Sequence, residues 1–331
     1  MPEATFLLDF LYGRTEPTFK KNRPGLIMQL FKNSLLLLTL FLFAVTACSD
    51  NGDADEIEND FTGNVESYEL HSANDSGISG VVVFEERTDG STLVTIQLEG
   101  TSSGDSHPAH IHENSVAEGG GVAVPFNNVD GATGISETVV DEVGGSPDTF
   151  SQLIGMEAHV NVHLSDDDLA VIAEGDIGDN ALTGQYVSYE LQETAGSGIS
   201  GHVLFEERMN GNTLATIELQ GTSPGISHPA HIHENSVAEG GGVAVPFNNV
   251  DGDTGISETH IDAGQTAENL TYSALLNYNG HVNVHRSDDD FAVIAEGNIG
   301  ENANGNGDQE NGNDDDDDGN GDDDDNDNDG Y

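Results

Sequence analysis

A long internal repeat constrains this chain more than any other feature of its sequence. Residues 61–178 align with residues 182–300 at a spacing of 121 residues, which becomes 122 after one insertion. Ser106–Gly131 is identical to Ser227–Gly252 over 26 residues. Each copy has the length of an ordinary domain, and only three residues separate the copies. We therefore expect two tandem domains of one fold, over 61–178 and 182–300, and not a solenoid of small units.

The hydrophobic pattern inside each copy has a period of two. Val94, Ile96 and Leu98 alternate with polar residues, and residues 215–219 repeat that alternation. Gly, Asn, Asp and Ser separate this run from other strand-like runs, which are Ser79–Phe84, His110–Glu113, His159–His163 and Leu169–Ala173. Short alternating strands with turn residues between them are typical of antiparallel sandwiches. The predicted fold class is therefore all-β, with two tandem antiparallel Greek-key β-sandwich domains.

The chain carries a lipoprotein-type export signal that starts at Met28. Lys32 precedes an apolar run from Leu35, which is too short to span a membrane, and Val45-Thr46-Ala47-Cys48 resembles a lipobox. We predict that residues 1–47 are removed, with 28–47 as the true signal, and we interpret 1–27 as a wrongly assigned start. The alternative is an ordinary signal peptide with an incidental cysteine.

Lipidation of Cys48 would have two consequences for the exported protein. As the only cysteine, it leaves none for an intrachain disulfide, so the hydrophobic cores must supply the stability. Residues 48–60 form an acidic linker that is similar to the surface-export signals of some lipoproteins. We expect the protein to be anchored by its lipid in the outer membrane, facing either the periplasm or the cell surface.

The exported part is strongly acidic. Only three of the 61 Asp and Glu residues precede Cys48, whereas only three of the eight cations, Arg87, Arg208 and Arg286, follow it. This charge repels nucleic acid and anionic lipid headgroups, so we expect neither as a partner. A halophilic or marine setting and a calcium-rich exterior would each account for such a surface.

Residues 301–331 form an Asp/Asn/Gly-rich tail with almost no apolar residue, and we predict that this tail is disordered. Asp325–Gly330 copies the opening of a calcium-binding loop but lacks the glutamate that would close it. We interpret the tail as a solvated segment that interacts with calcium only weakly.

Histidines carry the most specific chemical signal in the sequence. Ten of the 13 histidines occur as five pairs at matching positions of the two copies. In a strand, His110 and His112 lie on one face, about 6.5 Å apart at Cα, while Ile111 lies on the other. Two imidazoles at this spacing can share one copper or zinc ion, since both metals favour imidazole ligands.

A third ligand must come from another strand, and His163 is the candidate, because Val160 and Val162 would occupy the core face of that strand. His159 lies on the same face as His163 but about 13 Å along the strand, too far to share the ion in a straight strand. The predicted metal ligands are thus His110, His112 and His163 in the first copy, and His231, His233 and His285 in the second. Supporting positions are predicted for His107, His159, His228 and His281. The unmatched histidines His71, His202 and His260 are predicted to be surface residues.

These motifs resemble a known family. The order HPAHIHE, a glycine-rich loop, HVNVH and a closing AVIAEG resembles the chordin-type (CHRD) domain in both copies, and that domain is itself similar to the Cu/Zn superoxide dismutase β-sandwich. The resemblance implies this fold, and by analogy with the dismutase H-x-H and V-V-H elements it implies the same six ligands. It implies no common activity, since CHRD domains occur in secreted and surface proteins without one.

Three functions remain open at the level of the sequence. The leading hypothesis is a membrane-anchored binding module that holds one Cu or Zn ion per domain and contacts a protein or extracellular-matrix partner. The second is a structural surface protein whose histidines bond across strands and bind nothing. The third is a copper-dependent redox enzyme, which the acidic surface disfavours because it repels superoxide. We predict no catalytic residue.

Overall fold

The computed structural model describes residues 60–145 and 148–303. The first copy, repeat 1, contains strands β1 (Phe61–Ser72), β2 (Ser79–Arg87), β3 (Thr92–Glu99), β4 (Ser106–His107), β5 (Ala109–Glu113), β6 (Val122–Pro125), β7 (Val129–Asp130), β8 (Ile135–Val140), β9 (Glu157–His163) and β10 (Val171–Gly178). The second copy, repeat 2, contains β11 (Leu182–Glu193), β12 (Ser200–Arg208), β13 (Thr213–Gln220), β14 (Ser227–His228), β15 (Ala230–Glu234), β16 (Val243–Pro246), β17 (Val250–Asp251), β18 (Ile256–Ile261), β19 (Asn279–Ser287) and β20 (Asp290–Gly300). The helices are short: α1 (Thr149–Ile154), α2 (Tyr272–Leu275) and two 3-10 turns, Ala263–Gln265 and Glu301–Ala303.

The strands of repeat 1 form one curled antiparallel sheet in the order β4-β7-β8-β3-β2-β1-β10-β9-β5-β6. Strand β1 pairs with β2 over most of its length, and its last two residues, His71 and Ser72, pair with β10. Because β1 passes from one layer to the other, the two layers of the sandwich are halves of a single sheet. The predicted all-β antiparallel fold class is confirmed.

One predicted strand begins later than expected. The run Leu169–Ala173 was predicted as a strand, but β10 starts at Val171. The two residues before it belong to a turn, in which the Leu164 amide donates to the Ala170 carbonyl at 2.9 Å. Sequence alternation continues through this turn and does not mark where the ladder begins.

The core of repeat 1 comes from the alternating apolar positions that the sequence predicts. Val82 and Phe84 on β2 are fully buried, and Val94 and Ile96 on β3 are each 1% exposed. Burying each such side chain stabilises the fold by about 1.5–3 kcal/mol. The other face of these strands is partly exposed and polar, as at Thr95 and Gln97.

Repeat 2 builds its own core in the same way. Its main sheet has the order β16-β15-β19-β20-β11-β12-β13-β18, and β14 pairs with β17 beside it. Buried apolar side chains form two separate clusters, one within residues 70–177 and the other within residues 187–299. Each histidine group described below therefore rests on the core of its own repeat.

Several predictions fall outside the described residues. The signal segment, Cys48, most of the acidic linker and the tail from residue 304 onward belong to this group. Among the residues that the structure does describe, no helix has the length and apolar character needed to cross a membrane.

Candidate metal centre

The six predicted ligands lie in two groups of three. His110, His112 and His163 form site 1, in which one ring nitrogen of each residue lies within 4.8 Å of those of the other two. His231, His233 and His285 form site 2 under the same criterion. Within the described residues, these two trios are the groups of three His, Cys, Asp or Glu side chains close enough to hold one ion.

Strand pairing brings the ligands of site 1 together. In the β5–β9 ladder, His110 lies opposite Asn161 and His112 lies opposite His159, so His163 is the diagonal neighbour of His110. The ring centroids of His110 and His163 are 5.4 Å apart, those of His110 and His112 are 5.8 Å apart, and those of His112 and His163 are 6.0 Å apart. The fully buried Ile111, Val160 and Val162 anchor the opposite face of both strands in the core.

Backbone carbonyls fix the tautomers of two ligands. Nδ1 of His112 donates to the Gly120 carbonyl at 3.0 Å, and Nδ1 of His163 donates to the Leu169 carbonyl at 2.9 Å. A carbonyl oxygen only accepts, so the proton of each neutral ring lies on Nδ1 and the lone pair lies on Nε2. Metal-binding histidines commonly donate their other ring N–H to a carbonyl in this way.

Unpartnered ring nitrogens are available in the same cluster. Nε2 of His112 and Nδ1 of His110 are buried and have no hydrogen-bond partner. Buried polar atoms are rarely left without a partner, and a metal ion is one group that could satisfy these two nitrogens. The donor set is three neutral imidazole nitrogens, which suits copper or zinc.

Burial favours the neutral ring at His110, His231 and His233. The pKa of His110 is lowered from 6.5, chiefly by burial and then by the neighbouring His163 and His112. The pKa values of His231 and His233 are lowered in site 2, again mainly by burial. A lowered pKa favours the unprotonated ring, which is the form that binds a metal.

The glycine loop of repeat 1, residues 114–121, places the carbonyl that orients His112. A Cβ on Gly120 would lie 2.0 Å from the Glu113 carbonyl oxygen, so only glycine allows the loop to pack this closely against the end of β5. Gly241 is in the same situation in repeat 2, where a Cβ would lie 2.1 Å from the Glu234 carbonyl oxygen. The glycine-rich loop therefore has a defined packing role.

The four supporting histidines contact the predicted ligands or the backbone at or next to them. His159 stacks on His112 with ring centroids 5.3 Å apart and 25° between planes, and its Nδ1 donates to the Asn114 carbonyl at 2.9 Å. Burial is the main cause that lowers the pKa of His159. His107 is 1% exposed, and its Nδ1 donates to the Leu164 carbonyl at 2.9 Å, beside His163. His107 therefore contacts the turn that follows His163.

Site 2 reproduces this geometry. His231 and His285 have ring centroids 5.3 Å apart, and His233 lies 5.7 Å from His231 and 6.4 Å from His285. Nδ1 of His233 donates to Gly241, and Nδ1 of His285 donates to Phe291. The two supporting histidines also match: His281 stacks on His233 at 5.2 Å, and Nδ1 of His228 donates to the His285 carbonyl at 3.1 Å.

The unmatched histidines divide into two kinds. His71 is exposed, and His202 is partly exposed and lies 3.6 Å from Glu218. His260, predicted to be a surface residue, is instead partly buried, and its Nδ1 has no partner. Burial, and then the charge of Arg208, lowers the pKa of His260. Carboxylates of repeat 1, Glu118 and Asp176, also act on the pKa of His260, so its surroundings include charges that strand alternation within repeat 2 does not encode.

Several residues that shape the sites were missed by sequence reasoning. The carbonyls of Gly120 and Leu169 act through the backbone, so their residue types give no signal of this role. Asp176, whose carboxylate accepts from the Val116 amide in the glycine loop at 2.8 Å, was also missed. Asp176 also forms an ion pair with Arg208 at 2.7 Å, and no sequence signal singles out Asp176 among the many acidic residues as the partner.

Comparison with known proteins identifies part of the chain. A family model for the CHRD domain matches residues 62–168, a range that includes all three ligands of site 1. No curated protein matches the chain. The matched range ends in the turn between β9 and β10 and does not include repeat 2. Residues 62–168 of this chain form a CHRD domain.

Proposed function

We propose that this protein is a metal-binding module that holds one copper or zinc ion in each repeat. The observation that carries the proposal is the convergence of three imidazole nitrogens within 4.8 Å in each of the two repeats. His110, His112 and His163 would hold the ion in site 1, and His231, His233 and His285 would hold it in site 2. The CHRD domain at residues 62–168 supports a binding role.

The hydrogen bonds favour this role over a purely structural one. In both repeats, the ring of the second H-x-H histidine uses Nδ1 for a backbone carbonyl and leaves Nε2 buried without a partner. The supporting His107 and His228 show the same pattern, but only the six predicted ligands also bring ring nitrogens within 4.8 Å of one another in groups of three. Leaving such an atom unpaired costs about 1–3 kcal/mol, which a bound ion would offset.

Three protein nitrogens leave room for a further ligand on the ion. His110 and His112 are partly exposed, so that ligand would be water or a small molecule from solvent. With zinc this arrangement would serve binding or storage; with copper it would also permit redox chemistry. We favour binding without turnover, because the formal net charge of −53 would repel an anionic substrate such as superoxide.

We further propose that the module is exported and anchored through a lipid on Cys48, and that repeat 2 is a second CHRD-type domain. The lipobox-like Val45-Thr46-Ala47-Cys48 supports the anchor, and the 26-residue identity between the copies supports the second domain. The partner would be a protein or matrix component on the outer side of the membrane, since the acidic surface disfavours nucleic acid.

Titration of the metal-free protein, purified without a histidine tag, tests the binding role. We expect calorimetry with Cu(II) and with Zn(II) to give two saturable sites per chain for at least one of the two metals. The double variant His112→Ala/His233→Ala should lose most of this binding, whereas His71→Ala, at an exposed position, should bind like the parent. Equal binding by the parent and the double variant would refute the proposal.

A further inference from the structure

The contact between the repeats centres on a buried arginine. Arg208, at the end of β12 in repeat 2, is fully buried, and its guanidinium donates to Asp176 of β10 in repeat 1 at 2.7 Å. The same guanidinium donates to the Asn180 carbonyl between the repeats. A buried charge is tolerated when it is paired and hydrogen-bonded. A shift of one repeat relative to the other would leave the Arg208 charge buried without its partner, so the ion pair favours the observed arrangement of the repeats.

Asp176 connects this ion pair to the glycine loop of site 1. One carboxylate oxygen of Asp176 accepts the hydrogen bond from the Arg208 guanidinium, and the other accepts a hydrogen bond from the Val116 amide at 2.8 Å. A second contact reaches the same loop from repeat 2, where the side-chain amide of Asn248 donates to the Ala117 carbonyl at 3.4 Å. Two points of the loop are therefore held by groups that depend on repeat 2.

The ends of this loop contact the histidines of site 1. The Asn114 carbonyl accepts from Nδ1 of His159, and the Gly120 carbonyl accepts from Nδ1 of His112. Because both carbonyls belong to the main chain, their positions change whenever the path of the loop backbone changes. Displacement of residues 116 and 117 would therefore change the orientation of the His112 ring and of the His159 ring stacked on it.

We propose that repeat 2 positions the metal site of repeat 1, with Arg208 and Asp176 as the positioning residues. Neither residue contacts the ion; the pair holds the glycine loop so that Nε2 of His112 points at the shared site. This inference rests on the proposed metal-binding function. It makes the tandem arrangement part of site 1 and not a simple duplication of binding capacity.

Repeat 2 offers a matched comparison within the same chain. The residue equivalent to Asp176 is Asn298, whose side-chain oxygen accepts from the Val237 amide at 2.8 Å in the same way. Asn298 is neutral, and Arg286, the other described arginine of repeat 2, pairs with Asp290. The loop of site 2 thus has the same side-chain-to-amide hydrogen bond without the ion pair. Loss of Arg208 should therefore change the metal affinity of site 1 more than that of site 2.

The test uses the full chain in two backgrounds. His233→Ala/His285→Ala leaves site 1 alone, and His112→Ala/His163→Ala leaves site 2 alone. Into each background we would introduce Asp176→Ala/Arg208→Gln, which removes both the ion pair and the acceptor of the Val116 amide and leaves no unpaired buried charge, and separately Asp176→Asn, which keeps a neutral acceptor as in repeat 2. Asn248→Ala removes the second contact, together with the 2.7 Å bond from the same side chain to the Glu258 carbonyl within repeat 2.

Calorimetric titration with Cu(II) and Zn(II) gives the Kd of each site, and circular dichroism reports whether each variant is folded. We expect Asp176→Ala/Arg208→Gln to weaken site 1 on the order of 10-fold, the lower end of the effect of losing a group that orients a metal ligand, and Asp176→Asn to weaken it less. Site 2 should stay within about twofold. Asn248→Ala should act in the same direction with a smaller effect. In the parent, the Nδ1 proton of His112 is protected by its hydrogen bond to the Gly120 carbonyl. This proton should exchange faster with solvent in the Asp176 variants.

Three results would overturn the inference. An unchanged Kd of site 1 in the folded double variant would mean that the ion pair does not position the site. An equal loss at both sites would indicate general destabilisation. Absence of binding in the unsubstituted site 1 background would overturn the proposed function together with this inference, and is thereby distinguishable from the first two results.

Discussion

Substitution of Gly120 by alanine offers the sharpest local test of how site 1 is built. The new Cβ would lie 2.0 Å from the Glu113 carbonyl oxygen, whereas ordinary contact begins at 3.4 Å. Relief of this clash requires a movement of about 1.4 Å between the loop and the end of β5. The hydrogen bond from His112 Nδ1 to the Gly120 carbonyl, 3.0 Å long in the native loop, would not survive a shift of this size.

Loss of the hydrogen bond between His112 and the Gly120 carbonyl sets the expected decrease in metal affinity. Removing such partners typically costs 10–100-fold in metal affinity, which corresponds to about 1.4–2.7 kcal/mol. The assay is titration with Cu(II) or Zn(II) in the His233→Ala/His285→Ala background, so that only site 1 is observed. Gly121→Ala is the matched control, because a Cβ on Gly121 has nothing within 4 Å.

Two results would refute this reasoning. One is a Kd for Gly120→Ala equal to that of the unsubstituted background in a folded protein. The other is an equal loss in Gly121→Ala, which would mean that any side chain in the loop weakens binding. Gly241→Ala and Gly242→Ala repeat the comparison in repeat 2, where the nearest atoms lie at 2.1 and 3.8 Å.

Three further predictions follow from the charge, the buried histidines and the N-terminal signal. Because the formal net charge is −53, the melting temperature should rise from low salt to 1 M and rise less after deletion of residues 304–331; a flat melting temperature would contradict this. Burial lowers the folded-state pKa of His159 below 6.5, so its contribution to the stability of the metal-free protein is present above pH 6.5 and is lost as the pH falls through the folded pKa. The loss of stability between pH 7.5 and 5.0, measured by urea unfolding, should therefore be smaller in His159→Gln than in the parent, and an equal loss would argue against the assignment. Expressed in a Gram-negative host, the parent should partition into detergent with a lipid-modified Cys48 and Cys48→Ala should not; an intact mass showing cleavage elsewhere and an unmodified Cys48 would refute the lipoprotein proposal.

The structure changes how the tail should be removed in the salt experiment. The side chain of Asn302 donates to Asn279 at 2.7 Å and to the Gly280 carbonyl at 3.2 Å, next to the ladder that carries His281. A deletion starting at Asn302 would remove these bonds as well as the acidic charge. Deletion from residue 304 separates the effect of charge from that of packing.

Strand periodicity explains why the members of the two histidine groups were predictable. A strand fixes which side chains share a face, so His110, His112 and Ile111 could be assigned to faces without knowledge of the pairing. The distance along β9 correctly separated His159 from the position of His163. It did not reveal that His159 stacks on His112, because this contact depends on the register between β5 and β9.

Backbone and inter-repeat contacts account for what was not predicted. The carbonyls of Gly120 and Leu169 orient two ligands, but a main-chain oxygen is present at every residue and therefore gives no sequence signal. The partial burial of His260 and the pairing of Arg208 with Asp176 depend on how the repeats meet. The continuity of the sandwich through β1 depends on the sheet curl and not on the alternation within any one strand.

The metal content of the protein as purified tests the central claim most directly. The full chain, produced with its own signal, isolated without a histidine tag and without chelators, should carry close to two equivalents of copper and zinc combined, measured by mass spectrometry of the elements. The variant His112→Ala/His233→Ala, prepared in parallel, should carry almost none. Metal content near zero in the parent, or equal content in the parent and the variant, would contradict the account of the two histidine groups as metal sites.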